Sequence, residues 1–256
     1  MALPAVSYGN LVVLLGAAIV CGTTPACCQS LEAGLRLRQS HDVLGDNILT
    51  VAPSGVRLEN VGHFKFVLVA KAPDWRVTIY RIDDKLYFAM SLTEFEENGL
   101  MSGFLIGYKP RSLDSHQFLA RKMTYLNYQI IRMTSSEGSL KYLPLGNYAS
   151  GPVERIIYMT YKVPTCGGIP LDWSFVQGRD WVSHTSNGGH LEAYLTTSEI
   201  DPVKVSPAIF TPPKYYQRAK SLREVVSGSD VSKKTEDALE ILGARGKSSP
   251  GRGAAK

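Results

Sequence analysis

Residues 164–168 read Pro-Thr-Cys-Gly-Gly, and the thiol of Cys166 is the side chain in this sequence with the most direct route to chemistry. Glycines beside a cysteine let a substrate approach the sulfur, and a nearby imidazole raises the fraction of attacking thiolate. Asp180, His184 and His190 follow downstream and could supply that base. No helical pattern follows Cys166 to lower its pKa, so a turn cysteine or half of a disulfide is the competing reading. His184 and His190 flank Asn187-Gly188-Gly189 and could face each other across a hairpin, with Asp180 or Glu192 completing a metal site. That spacing matches no common zinc signature. His41, His63 and His116 are scattered along the chain. Asp83-Asp84 belong to a turn, and Glu94, Glu96 and Glu97 to a helix, which suits solvated acids better than the paired carboxylates of glycoside hydrolysis. A phosphate-binding glycine loop and a Gly-x-Ser-x-Gly elbow are both absent. The residues therefore predict no cofactor, no metal and no enzymatic activity.

The amino-terminal sequence suggests a compartment. Residues 11–20, LVVLLGAAIV, form an apolar run too short to cross a bilayer, which takes about 20 residues. Small and helix-breaking residues follow, with Thr24 and Ala26 placed for a cut before Cys27. The expectation is a signal peptide over 1–26 and export to the periplasm or cell envelope, although no Lys or Arg precedes the apolar run. Cleavage would leave Cys27, Cys28 and Cys166, an odd set that makes no complete disulfide framework. Cys27 would then be a candidate for lipidation, alongside a disulfide from Cys27 or Cys28 to Cys166 and free thiols.

The formal charge of +5 belongs to one end of the chain. Residues 214–256 hold ten basic and five acidic side chains, which accounts for the whole surplus. A neutral body without a basic aromatic stripe predicts no nucleic-acid binding. Residues 231–242 can form a short amphipathic helix, and the Gly-, Ser- and Lys/Arg-rich stretch beyond it has too little apolar surface to offset its ordering entropy. This tail, 223–256, is expected to be largely disordered, either solvated or in touch with a membrane or another anionic envelope surface.

The elements that must position any site are short strands at roughly ten-residue spacing, over 48–51, 55–59, 63–70, 75–80, 85–90, 125–133, 140–142, 155–162, 171–176 and 191–196. Two helices interrupt them: 91–99, opened by the capping box of Ser91 and Glu94, and 112–123. The pattern predicts an α+β protein on an antiparallel sheet, with 27–46 as a linker and 47–222 as the folded domain.

Several of these runs resemble the LolA/LolB-like superfamily of periplasmic lipoprotein carriers, in its uncharacterised exported members. The resemblance lies in Val56-Arg57-Leu58-Glu59-Asn60, Ala72-Pro73-Asp74-Trp75 with the strand ending at Tyr80, Lys85-Leu86-Tyr87-Phe88, and the helix start over 91–95. It continues in Thr196-Thr197, Ser206-Pro207 and the closing pattern Phe-x-x-Pro-x-x-Tyr at Phe210, Pro213 and the doubled Tyr215-Tyr216. It implies a strongly curved sheet, an unclosed β-barrel, with two or three short helices on its concave side and an apolar cavity for acyl chains. The ligand-facing candidates are Phe64, Phe66, Leu68, Trp75, Val77, Ile79, Phe88 and Met90. For each singly, ordinary core packing is the alternative. The expected function is an exported, non-enzymatic binding protein for a lipid, a lipoprotein acyl chain or a hydrophobic segment. The alternatives are an envelope structural or interaction protein without a ligand, and a Cys166-dependent hydrolase.

Overall fold

Glu32–His41 (β1) alternates by residue, with Leu35, Leu37, Gln39 and His41 buried and Arg36, Arg38 and Ser40 exposed. That period of two makes a strand with one wet face, and it lies in the middle of the sheet between two antiparallel partners. The reading of 27–46 as a linker is therefore corrected: its polar outward residues diluted a strand signal that only the alternation carried. The computed structural model describes residues 30–62, 64–100, 119–135, 138–177 and 190–228, without the side chains of 176–177 and 190–192. Residues 1–26, where a signal peptide is expected, and Cys27, Cys28, His63, His116, His184 and residues 229–256 lie outside the described residues.

A meander follows β1: Gly45–Ala52 (β2), Gly55–Asn60 (β3), Phe66–Lys71 (β4), Val77–Arg81 (β5) and Leu86–Met90 (β6), each antiparallel to the one before. The helix Leu92–Asn98 (α1) opens with the expected capping box and ends at Gly99, whose φ of 65° favours glycine. The second half runs Leu119–Tyr125 (β7), Tyr128–Thr134 (β8), Gly138–Pro144 (β9), the helix Gly151–Tyr161 (α2), Gly168–Gln177 (β10) and His190–Val205 (β11). The two-residue strand Gln217–Arg218 (β12) and the helix Leu222–Ser227 (α3) close the described chain. Together the strands make one open twelve-stranded sheet, ordered β12-β6-β5-β4-β3-β2-β1-β11-β10-β9-β8-β7, antiparallel except where β12 meets β6.

Three further expectations are corrected. The strand expected over 155–162, rich in β-branched and aromatic side chains, is instead the end of α2 with Lys162 as its C-cap. Val153, Ile156, Ile157 and Tyr161 recur at helical spacing and are buried, so packing of one face overrides strand propensity. Residues 119–123 of the expected second helix are strand, in register with β8, while 112–118 lie outside the described residues. The single strand expected over 125–133 is broken by a two-residue turn at Leu126-Asn127, both with positive φ, the geometry that suits strand twist. The carboxyl-terminal boundary also moves, because Leu222, Val225 and Val226 of α3 are buried in the main core.

One core joins Phe95 of α1, Ile156 and Ile157 of α2 and Val225 of α3 to the same face of β1–β6. The β7 end of the sheet is rolled. Tyr125 of β7 places its hydroxyl 3.2 Å from Asp172 Oδ1 in β10 and 3.0 Å from the carbonyl of Thr197 in β11. A flat sheet would hold β7 and β11 roughly 19 Å apart, four spacings of about 4.8 Å. Register shifts at Arg38/Gln39, Pro170/Asp172 and Trp173/Ser174 cluster where the roll occurs, and bulges of this kind bend a strand and increase its twist.

On the opposite face, residues 206–219 run as a strap from the end of β11 to the free edge of β6. Phe210 lies so close to Gly55 that a Cβ there would sit 2.4 Å from the ring, which explains the glycine. Tyr216 meets Tyr80 edge-on at 5.8 Å, whereas Tyr215, with φ 72°, is 97% exposed. Of the doubled tyrosines, Tyr216 therefore takes the packed position.

Candidate functional site

At the β6 edge the described surface opens into a groove of about 760 Å³. Phe88, Ala89 and Met90 from β6 and Leu222 from α3 give it an apolar lining. Ser91, Glu94 and Asn98 form one wall, since spacings of three and four residues bring them to one side of α1. Asp74 and Arg76 come from the turn before β5, and Arg218 from β12. The groove is thus greasy along its floor and charged at its rim.

The rim has internal order. Glu94 Oε2 accepts from the Ser91 backbone N–H at 2.7 Å and from its hydroxyl at 3.0 Å, while Ser91 Oγ accepts from the Glu94 N–H at 3.2 Å. These bonds from Ser91 lower the Glu94 pKa, and the guanidiniums of Arg76 and Arg218 pull in the same direction. Neither arginine has a salt bridge or hydrogen bond among the described residues.

The ligand-facing candidates divide into two groups. Phe66, Leu68, Val77 and Ile79 have no exposed surface and pack in the main core; Phe64 and Trp75 are half-buried against it. Only Phe88 and Met90 reach the groove. Face assignment by alternation holds, since Val67, Val69 and Tyr80 collect on the opposite side of the sheet. Trp75, however, precedes β5 in a left-handed turn and does not continue the strand. Arg76, Arg218 and Leu222 were not singled out by the sequence; their charges and apolar body read as ordinary surface until the strap and the β4–β5 turn bring them together.

The other chemical candidates are placed differently. Cys166 lies at the surface in a left-handed turn just before β10, and partial desolvation of its sulfur, with the Glu154 carboxylate nearby, raises the thiol pKa, opposite to activation. His184 and the side chain of His190 lie outside the described residues, so their approach to Cys166 or to a metal is not described. Among the described residues no group of three metal-ligating side chains occurs.

A polar network inside the sheet also gathers titratable groups. Gln39 Nε2 donates to the Pro170 carbonyl at 2.9 Å and to Thr197 Oγ1 at 3.0 Å, and its Oε1 accepts from the Tyr161 hydroxyl at 3.0 Å. Asp172 accepts from Lys141 Nζ at 2.6 Å and from the Thr197 N–H at 3.0 Å, at the irregular β9–β10 pairing. His41 accepts two backbone N–H groups on Nδ1, so its proton lies on Nε2 and is donated to the Tyr161 carbonyl at 3.0 Å. These groups are spent on one another and on backbone freed at the bulges, which is a structural role.

No family model and no curated protein matches this chain. Among solved structures, an uncharacterized conserved protein from Thermus thermophilus is similar over 75% of this chain and 91% of its own, at 10% identity and a TM-score of 0.37.

Proposed function

We propose that this protein is an exported, non-enzymatic binding module that takes the apolar part of a small ligand into the β6–α1–α3 groove. In this reading the sheet is an unclosed barrel of the LolA-like kind, and the core residues Phe66, Leu68, Val77 and Ile79 are the rigid wall behind the site. Phe88 and Met90 are the part of that wall that a ligand touches. The observation that carries the reading is the groove itself: about 760 Å³, floored by Phe88, Met90 and Leu222. Small-molecule sites are concavities of roughly 300–1,000 Å³ with mostly apolar walls and a few placed polar groups. Each methylene removed from water contributes about 0.8 kcal/mol, so a short alkyl chain suffices for measurable affinity.

A packed core favours the second reading, an envelope interaction protein without a ligand, because most of the ligand-facing candidates are inaccessible. Lipidation of Cys27 and contact of the basic tail with an anionic surface fit either reading. Titration of the full chain with dodecanol, followed by native mass spectrometry, separates them. A saturable one-to-one complex, weakened at least tenfold by Phe88→Glu, is expected. Absence of any complex would leave the ligand-free reading.

A further inference from the structure

The rim of the groove carries more information than its floor. Arg76 enters from the turn before β5 and Arg218 from β12, at opposite ends of the described sequence, yet both act on the same carboxylate, Glu94. That carboxylate is committed to Ser91, whose N–H and hydroxyl it accepts while capping α1. Two guanidiniums thus converge on one place without an ion pair of their own among the described residues. Each presents a planar fork of N–H donors suited to a carboxylate or a phosphate. With Asp74 and Glu94 against Arg76 and Arg218 the rim is balanced in charge, but Glu94 spends its oxygens on Ser91, and the groups left with unspent hydrogen-bonding capacity are the two guanidiniums and Asp74.

We propose that the ligand of this groove is an anionic single-chain amphiphile, whose alkyl chain lies on Phe88, Met90 and Leu222 while Arg76 and Arg218 hold its carboxylate or phosphate at the rim. This rests on the groove being a binding site. Its mixed lining is what selects an amphiphile over a wholly apolar guest: an open, half-charged groove leaves the head group in water's reach and buries only the chain. A phosphate or carboxylate is the shared chemistry of a free fatty acid and of a single-chain phospholipid.

The test is a parallel titration of the full chain with dodecanoate, dodecyl phosphate, dodecanol and dodecyltrimethylammonium, at low and high salt. The two anions are expected to bind more tightly than dodecanol, by about 1.4- to fivefold per guanidinium, the range of exposed ion pairs. Arg76→Gln and Arg218→Gln should each remove their share, and high salt should erode the advantage of the anions alone. The order of dodecanoate and dodecyl phosphate tells a fatty acid from a phospholipid head group. Equal binding of anions and dodecanol, unchanged in both variants, would overturn the head-group assignment and keep the groove. Preference for the ammonium would also overturn it, pointing to Asp74. Failure of all four to bind would overturn the groove as well.

Discussion

His41 should make this protein lose stability in mild acid, starting above the range where carboxylates titrate. Its ring is 1% exposed, stacked on Tyr161 at 5.2 Å and meeting Tyr194 edge-on at 4.6 Å. Nδ1 accepts the N–H groups of Val43 at 3.2 Å and Leu44 at 3.1 Å, so a proton cannot be added there without breaking the turn that joins β1 to β2. Burial dominates, lowering the pKa from 6.5 to about 4 against the smaller raising effects of the Tyr161 carbonyl and Asp42. The unfolded chain binds a proton as pH falls through 6.5, and the folded chain does not until about 4. Stability is therefore full above the unfolded value and falls across the window from about 6.5 to 4. At roughly 1.4 kcal/mol per pKa unit, the loss from this one group is about 3 kcal/mol, a large part of the roughly 5–15 kcal/mol typical of a domain.

Urea unfolding at a series of pH values from neutral down to 4 measures this directly, with His41→Asn as the reference. Asn Oδ1 can replace Nδ1 as acceptor for the turn, while the ring packing and the bond to Tyr161 are lost at a cost of about 2–3 kcal/mol at neutral pH. The variant should be weaker at pH 7 yet nearly flat between 6.5 and 4, where the parent chain declines. Parallel slopes in the two proteins, or an imidazole resonance missing from the variant that titrates near 6.5 in the folded parent, would refute the account.

Two other changes probe the sheet and its strap. Asp172→Ala removes the acceptor shared by Lys141 and the Thr197 N–H, and should lower the urea-derived stability by about 2–3 kcal/mol, with unpaired groups left at the bulge. Tyr216→Ala should cost about 1–2 kcal/mol through the lost contact with Tyr80, whereas Tyr215→Ala should stay within about 0.5 kcal/mol in the same assay.

What the sequence made legible was governed by locality. The hairpins of β2 through β6 and the capping box of α1 are written in neighbouring residues, and alternation alone sorted Phe66 and Leu68 from Val67 and Val69. The errors share one cause. In α2, Ile156, Ile157 and Tyr161 look like a strand until a core exists for one helical face to pack against. In β1, one of the two pairing partners, β11, is more than a hundred residues away, and the alternating Arg36, Arg38 and Ser40 hide the hairpin that β1 makes with β2. Residues 119–123 read as the end of a helix because their basic and apolar side chains suit one, and only registration with β8 decides otherwise. The groove was illegible for the same reason. Its floor residues Phe88 and Met90 follow from alternation, but the meeting of Arg76, Glu94 and Arg218 is a product of topology.

That topology ties the groove to the strap. Arg218 and Leu222 reach the β6 edge because the chain after β11 is fixed at successive points across the far face. Phe210 seats under Gly55, Arg57 holds the Tyr80 hydroxyl at 2.9 Å and the Ile209 carbonyl at 3.3 Å, and Tyr216 leans on Tyr80. Beyond these points the strap joins the edge as the parallel β12–β6 pairing, flanked by bonds from Gln217 N–H to the Lys85 carbonyl at 2.9 Å and from Ala219 N–H to the Tyr87 carbonyl at 2.8 Å, and it continues into α3, which is seated in the main core. It also covers an otherwise bare strand edge, which protects β6 from pairing with other chains. Arg218 is therefore positioned between Tyr216, packed on Tyr80, and the buried Leu222 and Val225 of α3. Loosening the strap at Tyr216 should accordingly weaken amphiphile binding in step with the loss of the Arg218 contribution, while the β1–β5 core remains folded.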